Sequence, residues 1–369
     1  MNMADVHNLG AGKSDAPIYS QSADLRGLER HAVSMARHTS WRAGGVADRV
    51  YTPADRDDLV AFMRLLAPNE PVLMAGLGSN LLVRDGGFRG TVILLHQVLG
   101  ALAVDIPATD VPAMDLQGKQ ARAADMPGPV NAIRVEAGVA CPKVARFAAM
   151  HGLEGAEFLA GVPGTMGGAL AMNAGCYGAQ IWERVTQVTL LDRRGVLCNR
   201  HPDAFDIGYR HVALHGSPAT DADPAAARPE LGETHWFIEA VMRLHPGDGA
   251  RSRARIKAFL SQRIATQPLQ LPNAGSVFRN PPGDHAARLI EACGLKGRRI
   301  GGAEVSVKHA NFIVNRGGAS AADIEALMDE VQASVLKLSG VDLVREVRVV
   351  GDALPAGLPA AGPVQEDKR

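Results

Sequence analysis

Five short segments carry the residues most able to do chemistry. Val72 to Val83 reads VLMAGLGSNLLV, two β-rich runs joined by the tight turn Gly76-Leu77-Gly78-Ser79-Asn80. Its glycines let backbone N–H groups come close to an anion, and Ser79 and Asn80 add side-chain hydrogen bonds, a set suited to a diphosphate. It is not a nicotinamide-type fingerprint, because Leu81 stands where G-x-G-x-x-G needs glycine and the following residues read as strand rather than helix. Taken alone, an ordinary glycine hairpin is the simpler reading. Ala160 to Gly178 (AGVPGTMGGALAMNAGCYG) sets Gly161, Gly164, Gly167, Gly168 and Gly175 among small residues, with only Pro163 to stiffen them. Backbone of this kind can lie flat against a large planar or phosphorylated ligand, and close packing between domains is the competing reading. In NAGSVFRNP, Gly275 frees the backbone and Ser276 presents a hydroxyl, although a serine after glycine is ordinarily a turn residue. Tyr209-Arg210 offers a guanidinium that could clamp a carboxylate in bidentate fashion, or could simply be solvated. In the closing LVREVRVV, strand alternation puts Glu346 and Arg348 on one face with Val344 and Val350, a bland ion pair unless something else meets them.

The elements around these segments alternate short β-rich runs with short helices. Thr52 to Leu66 reads as a helix capped by Thr52, with Pro53 in its first turn and Leu59, Val60, Phe62, Met63 and Leu66 on one face. Strands are expected at Pro71–Ala75, Asn80–Arg84, Thr91–Leu95, Ala132–Glu136, Val185–Asp192 and Trp236–Leu244, with a helix at Pro142–His151. A third region opens near Gly247 with a helix over about Ser252–Gln267, placing Ile256, Phe259, Leu260 and Ile264 on one side. Ser320 and Asp323 form a capping box ahead of Ile324, Leu327, Met328, Val331 and Val335, and a strand over Leu343–Val350 closes the domain. The polar first ~30 residues and the stretch from Ala353 to Arg369 read as flexible tails, and Ala108–Pro129 and Gly216–Glu233 as surface insertions.

Composition narrows the class. A chain of 369 residues with 39 basic and 39 acidic side chains can bury two or three cores, yet spreads no positive field for nucleic acid or anionic lipid. Any anionic ligand must then be held by local features. The four cysteines, Cys141, Cys176, Cys198 and Cys293, show no metal or CxxC spacing, which leads to the expectation of a reduced, metal-free protein. The first residues lack the basic and apolar regions of a signal peptide, and no stretch approaches the ~18 apolar residues of a membrane helix. A soluble, cytoplasmic protein, most simply a monomer, is the expectation.

Read in order, these motifs make the chain resemble the UDP-N-acetylenolpyruvoylglucosamine reductase family. The resemblance runs from about Ala32 to Gly351 through HTSWRAGGVADRVYTP, AGLGSNLLV, GLEGAEFLAGVPGTMGGALAMNAGCYG, YR, QPLQLPNAGSVFRNP, GLKGRRIGGAEVSVKHANFIVN and EVRVVG. His38 departs from the asparagine usual before the threonine, and Trp41 from the commoner phenylalanine. The HANFIVN wording and compact third domain look like the branch that lacks an extra substrate-covering loop with its tyrosine.

The resemblance implies an α+β protein: an FAD-binding module of the vanillyl-alcohol-oxidase type in two subdomains, residues 31–97 and 98–246, and a substrate domain over 247–352. It implies noncovalent FAD, its diphosphate held by Gly76, Gly78, Ser79, Asn80 and Leu81, and its ribityl and ring side lined by Gly161, Pro163, Gly164, Gly167, Gly168 and Asn173. It implies NADPH as hydride donor and an enolpyruvyl UDP-sugar as the second ligand of the same cleft. Arg210 would be the electrophile, Glu346 its partner and Ser276 the proton donor. Tyr209, Asn280, Lys308 and His309 would contact the substrate, the last three through its phosphates. Two other readings stand beside this one: another FAD-dependent oxidase of the same fold, and a non-enzymatic nucleotide-binding module.

Overall fold

A computed structural model describes residues 25–96, 98–105, 131–215 and 230–354, with the backbone of three two-residue strands at Ile18–Tyr19, Ala113–Met114 and Gln120–Ala121. Most of both tails and of both expected insertions lies outside the described residues.

The first sheet runs in the order Ile18–Tyr19, Leu28–Ser34, Val46–Thr52, Phe88–Leu94, Val72–Ala75. The first three strands are antiparallel, whereas Phe88–Leu94 lies parallel to both Val46–Thr52 and Val72–Ala75. Leu28–Ser34 begins inside the stretch expected to be a tail, because its backbone pairs with Val46–Thr52. Helix α1, Arg56–Leu65, packs Leu59, Phe62 and Met63 against this sheet. It starts later than the sequence suggests, for Thr52 is used by the strand and the cap is Asp55, whose carboxylate accepts from the Asp58 N–H at 2.9 Å.

The second sheet is antiparallel, in the order Leu197–Arg200, Val185–Asp192, His235–Pro246, Asn131–Glu136, Leu102–Asp105. Helix α2, Cys141–Met150, lays Val144, Ala145 and Ala148 on the core of this sheet, and the short α3, Met166–Ala171, adds Met166 and Leu170. Helix α4, Gly249–Thr266, crosses from here to the third region. The apolar side expected for it is not a buried one: Ile256 is 7% exposed, but Leu260 is 37% and Ile264 63%. Its inward side instead brings Arg263 to the cleft between the regions, and Phe259 stacks on the Tyr177 ring rather than entering the core.

The third region holds the short antiparallel strands Arg299–Ile300, Ala303–Val305 and Ile313–Asn315, with α5 (Ala286–Ala292) and α6 (Ala321–Ser339). The Ser320/Asp323 capping box forms as the spacing predicts, and Ile324, Leu327, Met328, Val331 and Val335 are buried together. Trp41 reaches from the first region into this core: it is fully buried, its Nε1 donates to the Ile313 carbonyl at 2.7 Å, and its own carbonyl accepts from Asn315. The closing strand is shorter than expected, Arg348–Val350, and lies parallel to Leu81–Val83 of the first region. Residues just before it bridge instead to Phe278, so Val344 is 55% exposed while the Glu346 side chain, expected to share its face, is only 16% exposed.

Candidate active site

A cleft of about 370 Å³ opens where the three regions meet. Two glycine-rich loops form its floor. The first follows the Val72–Ala75 strand and carries Gly76 to Asn80, and the second leads through Gly161, Pro163 and Gly164 into α3, with Gly167 and Gly168. The loops interlock: a Cβ on Gly76 would sit 2.1 Å from Thr165 Oγ1, and one on Gly164 would sit 2.5 Å from Ser79 Oγ. Gly78 has φ +60° with the His38 carbonyl 2.1 Å from where its Cβ would be, so only glycine fits there. No acceptor among the described residues takes the backbone N–H groups of Leu77, Gly78, Ser79, Gly164 or Thr165. That row of free donors on both loops is what an anionic group needs. The Trp236 indole nitrogen, from a cleft-lining residue, is also buried without a partner. Unpaired donors on a floor cleared of side chains fit a long dinucleotide with a diphosphate and a planar ring.

Arg210, Ser276 and Glu346 all line the same cleft. Arg210 follows the Phe205–Gly208 strand with φ +54°, an uncommon conformation for arginine, and three groups hold its guanidinium. Nε donates to Glu346 Oε1 at 2.9 Å, Nη1 to the Asn173 carbonyl at 3.2 Å and Nη2 to the Gly175 carbonyl at 2.9 Å. The pair is largely shielded from solvent, with side chains 17% and 16% exposed. Burial pushes the Glu346 carboxyl above its ordinary range, against the pull of Arg210. Glu346 is fixed from both sides: its N–H donates to the Val277 carbonyl at 2.8 Å, and its carbonyl accepts from the Asn80 side-chain amide at 3.0 Å. The first bond also sets Glu346 beside the residue following Ser276. Gly275, at φ +76° and held by Asn273 Oδ1 at 3.0 Å, turns the chain so that Ser276 reaches the cleft.

Other residues singled out by the sequence have different places. Asn80 lines the cleft, but its amide is spent on the Glu346 carbonyl, and Leu81 is a buried strand residue at the cleft edge. Asn173 lies behind Arg210 rather than in the lining, and donates to Gln180 and to the Gly208 carbonyl. Tyr209 is 46% exposed, with the Arg210 guanidinium over its ring at 5.2 Å. Asn280, Lys308 and His309 are outside the lining as well. Asn280 accepts from the first N–H of α5, Lys308 Nζ donates to the Ile264 carbonyl near the end of α4, and His309 packs edge-on against Phe312. Arg263, Gln267 and Arg348 line the cleft although the sequence did not mark them as ligand contacts. A helical spacing of four from Phe259 to Arg263 to Gln267 was the available signal.

The glycine floor and the shielded Arg–Glu pair beside a serine hydroxyl define a flavin-dependent oxidoreductase. Two family models match: "FAD binding domain" over residues 47–199 and "UDP-N-acetylenolpyruvoylglucosamine reductase, C-terminal domain" over residues 267–350. The chain is 54% identical over 328 residues to the UDP-N-acetylenolpyruvoylglucosamine reductase of Thiobacillus denitrificans, covering 89% of this chain and 94% of that one. It is 52% identical over 333 residues to the enzyme of that name from Nitrosospira multiformis, covering 89% and 90%. Among solved structures, the UDP-N-acetylenolpyruvylglucosamine reductase of Thermus caldophilus superimposes with a TM-score of 0.63 at 29% identity, over 88% of this chain and 99% of that one. The chain belongs to the UDP-N-acetylenolpyruvoylglucosamine reductase family.

Proposed function

We propose that this protein reduces the enolpyruvyl ether of UDP-N-acetyl-3-O-(1-carboxyvinyl)-glucosamine to UDP-N-acetylmuramate, with FAD as cofactor and NADPH as electron source. The product is a precursor of the cell wall, so the reading places the enzyme in the cytoplasm and links it to cell shape and division. The observation that carries it is the shielded Arg210–Glu346 pair in a cleft shared by Ser276 and two glycine loops.

The free N–H groups of Leu77, Gly78, Ser79, Gly164 and Thr165 would hold the FAD diphosphate, and Gly167 and Gly168 would leave room for the rest of the cofactor. When bound, FAD would supply hydride transfer from NADPH to the terminal enolpyruvyl carbon, with NADPH and the sugar nucleotide taking the cleft in turn. As that CH2 becomes CH3, negative charge moves toward the carbon bearing the carboxylate and onto the carboxylate itself. Arg210 is already oriented to meet that charge, since Glu346 and two carbonyls fix its guanidinium before substrate arrives. A preorganised cation of this kind contributes several kcal/mol, because no solvent has to reorganise. Ser276 gives the proton that completes the C–H bond at the adjacent carbon, leaving an alkoxide that is reprotonated by relay from solvent.

The purified protein should show flavin absorption that bleaches on anaerobic addition of NADPH and returns with the enolpyruvyl sugar. Return with oxygen but not with the sugar would favour an oxidase, and flavin without bleaching a binding module. Acid precipitation should release the flavin. In Arg210→Lys a point charge replaces a fork that makes three hydrogen bonds, so the sugar half-reaction should slow by about 10- to 100-fold with NADPH bleaching nearly unchanged. Equal losses in both halves would move Arg210 to a cofactor role.

A further inference from the structure

The cleft carries more positive charge than the chemistry just described employs. Four charged side chains line it: Arg210, Arg263 and Arg348 against Glu346. Glu346 is committed to Arg210, and no carboxylate among the described residues pairs with Arg263. In a chain with equal numbers of acidic and basic residues, that excess is local.

Arg263 is held, not loose. The Tyr177 and Phe259 rings stack at 4.0 Å and 4°, and the Tyr177 hydroxyl donates to the Phe259 carbonyl at 2.7 Å, which pins α4 to the turn after Gly175–Cys176, beyond α3. Four residues on, Arg263 projects from the same face into the cleft. Its Nε donates to Gln267 Oε1 at 2.8 Å, one further turn along, and no acceptor among the described residues takes Nη1 or Nη2. The guanidinium is therefore oriented by its inner nitrogen with its outer edge unspent. Burial pulls its pKa down, the cost of a shielded cation that lacks a counter-ion. Its wall adjoins Cys176 and Tyr177, next to the Gly175 carbonyl that Arg210 uses, so the two cations flank one stretch of chain.

We propose that Arg263, oriented by Gln267, is the anchor for the diphosphate of the nucleotide that occupies the cleft, and that Arg210 and Arg263 together divide a doubly anionic substrate, carboxylate to one and diphosphate to the other. This rests on the reading that the cleft takes the UDP-sugar and NADPH in turn. Both carry a diphosphate, and two outward N–H edges of a guanidinium match two phosphate oxygens. Gln267 is a positioning residue: its Oε1 accepts from Arg263 Nε, and removing it releases the fork without removing the charge.

The test uses the flavin-loaded oxidised enzyme, titrated with UDP and separately with uridine, and read by the change in flavin absorbance. Arg263→Gln should weaken UDP binding by about 10-fold or more and leave uridine unchanged, while Arg263→Lys and Gln267→Ala should lose less. Rapid-mixing titrations of each half-reaction identify the source: weaker apparent affinity for the UDP-sugar, for NADPH or for both assigns the anchor accordingly. UDP affinity equal to wild type in both Arg263 variants overturns the proposal. So does an equal loss for uridine and UDP, which would mean a change of shape rather than of charge. These titrations need no turnover. A wild-type enzyme that is not reoxidised by the enolpyruvyl sugar would instead overturn the functional reading and leave the UDP result to stand by itself.

Discussion

The glycine floor and the Arg210 corner of one cleft are built on opposite principles. The floor offers backbone N–H groups and works because side chains are missing: Gly76 and Gly164 let two loops interlock, and Gly78 lies under the His38 carbonyl. The corner offers side chains, and works because each is over-determined. Arg210 has three partners and Glu346 is tied at both its N–H and its carbonyl. A floor of this kind fails by steric intrusion and a corner by lost charge or lost proton, so substitutions in the two should separate cofactor retention from sugar chemistry.

The largest effects, about 100-fold or more, should come from one substitution in each half. Gly78→Val would place a branched side chain at φ +60° against the backbone of His38 and Thr39, which cannot swing aside. We expect FAD affinity to fall by about 100-fold or more, measured as flavin per protein after dialysis. Full flavin content with normal turnover would mean that this loop does not hold the cofactor. At the corner, Ser276→Ala should leave flavin content and NADPH bleaching intact and slow sugar-dependent reoxidation by about 10²- to 10⁴-fold. Ser276→Cys should recover part of the rate, a thiol being the stronger acid. Normal reoxidation by Ser276→Ala would pass the proton to another group.

A smaller effect follows from the buried carboxyl. Glu346 titrates above its ordinary value of 4.5 because burial outweighs the attraction of Arg210. Its protonation removes the negative partner of Arg210, so the sugar half-reaction should decline toward acid with a midpoint above 4.5, and Glu346→Gln should abolish that limb. Stability runs the other way. A carboxyl whose folded pKa is raised contributes fully below its unfolded value, and the contribution is lost as pH rises through the folded one. An acid limb that persists in Glu346→Gln would assign it to a different group.

The two halves of the site were unequally legible in the sequence. The floor is local: two short glycine-rich runs, Gly76 to Asn80 and Gly161 to Gly168, announce it, and the spacing of the first excluded the nicotinamide fingerprint because Leu81 opens a strand. The corner is not. Arg210 and Glu346 are 136 residues apart, and nothing in periodicity says they meet; only the ordered resemblance brought them together. Asn280, Lys308 and His309 came by the same route, and in the structure they meet a helix start, a helix end and the Phe312 ring. Alternation misled at the closing strand, where only three residues pair, so Val344 and Glu346 have unlike surroundings. Thr52 was an equally good cap on paper, and lost to Asp55 because its strand continued through it. Arg263 passed unmarked because an arginine on a mostly exposed helix reads as solvated until the neighbouring wall is known.

The smallest predicted effect divides the floor itself. Gly76, Gly78 and Gly164 are required by other parts of the protein, but a Cβ on Gly168 would meet nothing within 4 Å, and it lines the cleft from inside α3. Within a helix, alanine is favoured over glycine by roughly 1 kcal/mol. Gly168→Ala should therefore leave the apo-protein as stable as wild type or slightly more so. If the cofactor lies against this residue, the added methyl must displace it, and FAD affinity should fall by a few-fold to about 10-fold while the apo melting temperature holds or rises. Opposite movements of those two readouts are what ligand contact produces. A fall in both would mean that Gly168 is a packing glycine like Gly76, and unchanged FAD affinity with a higher melting temperature would move the cofactor off α3 and onto the first loop alone.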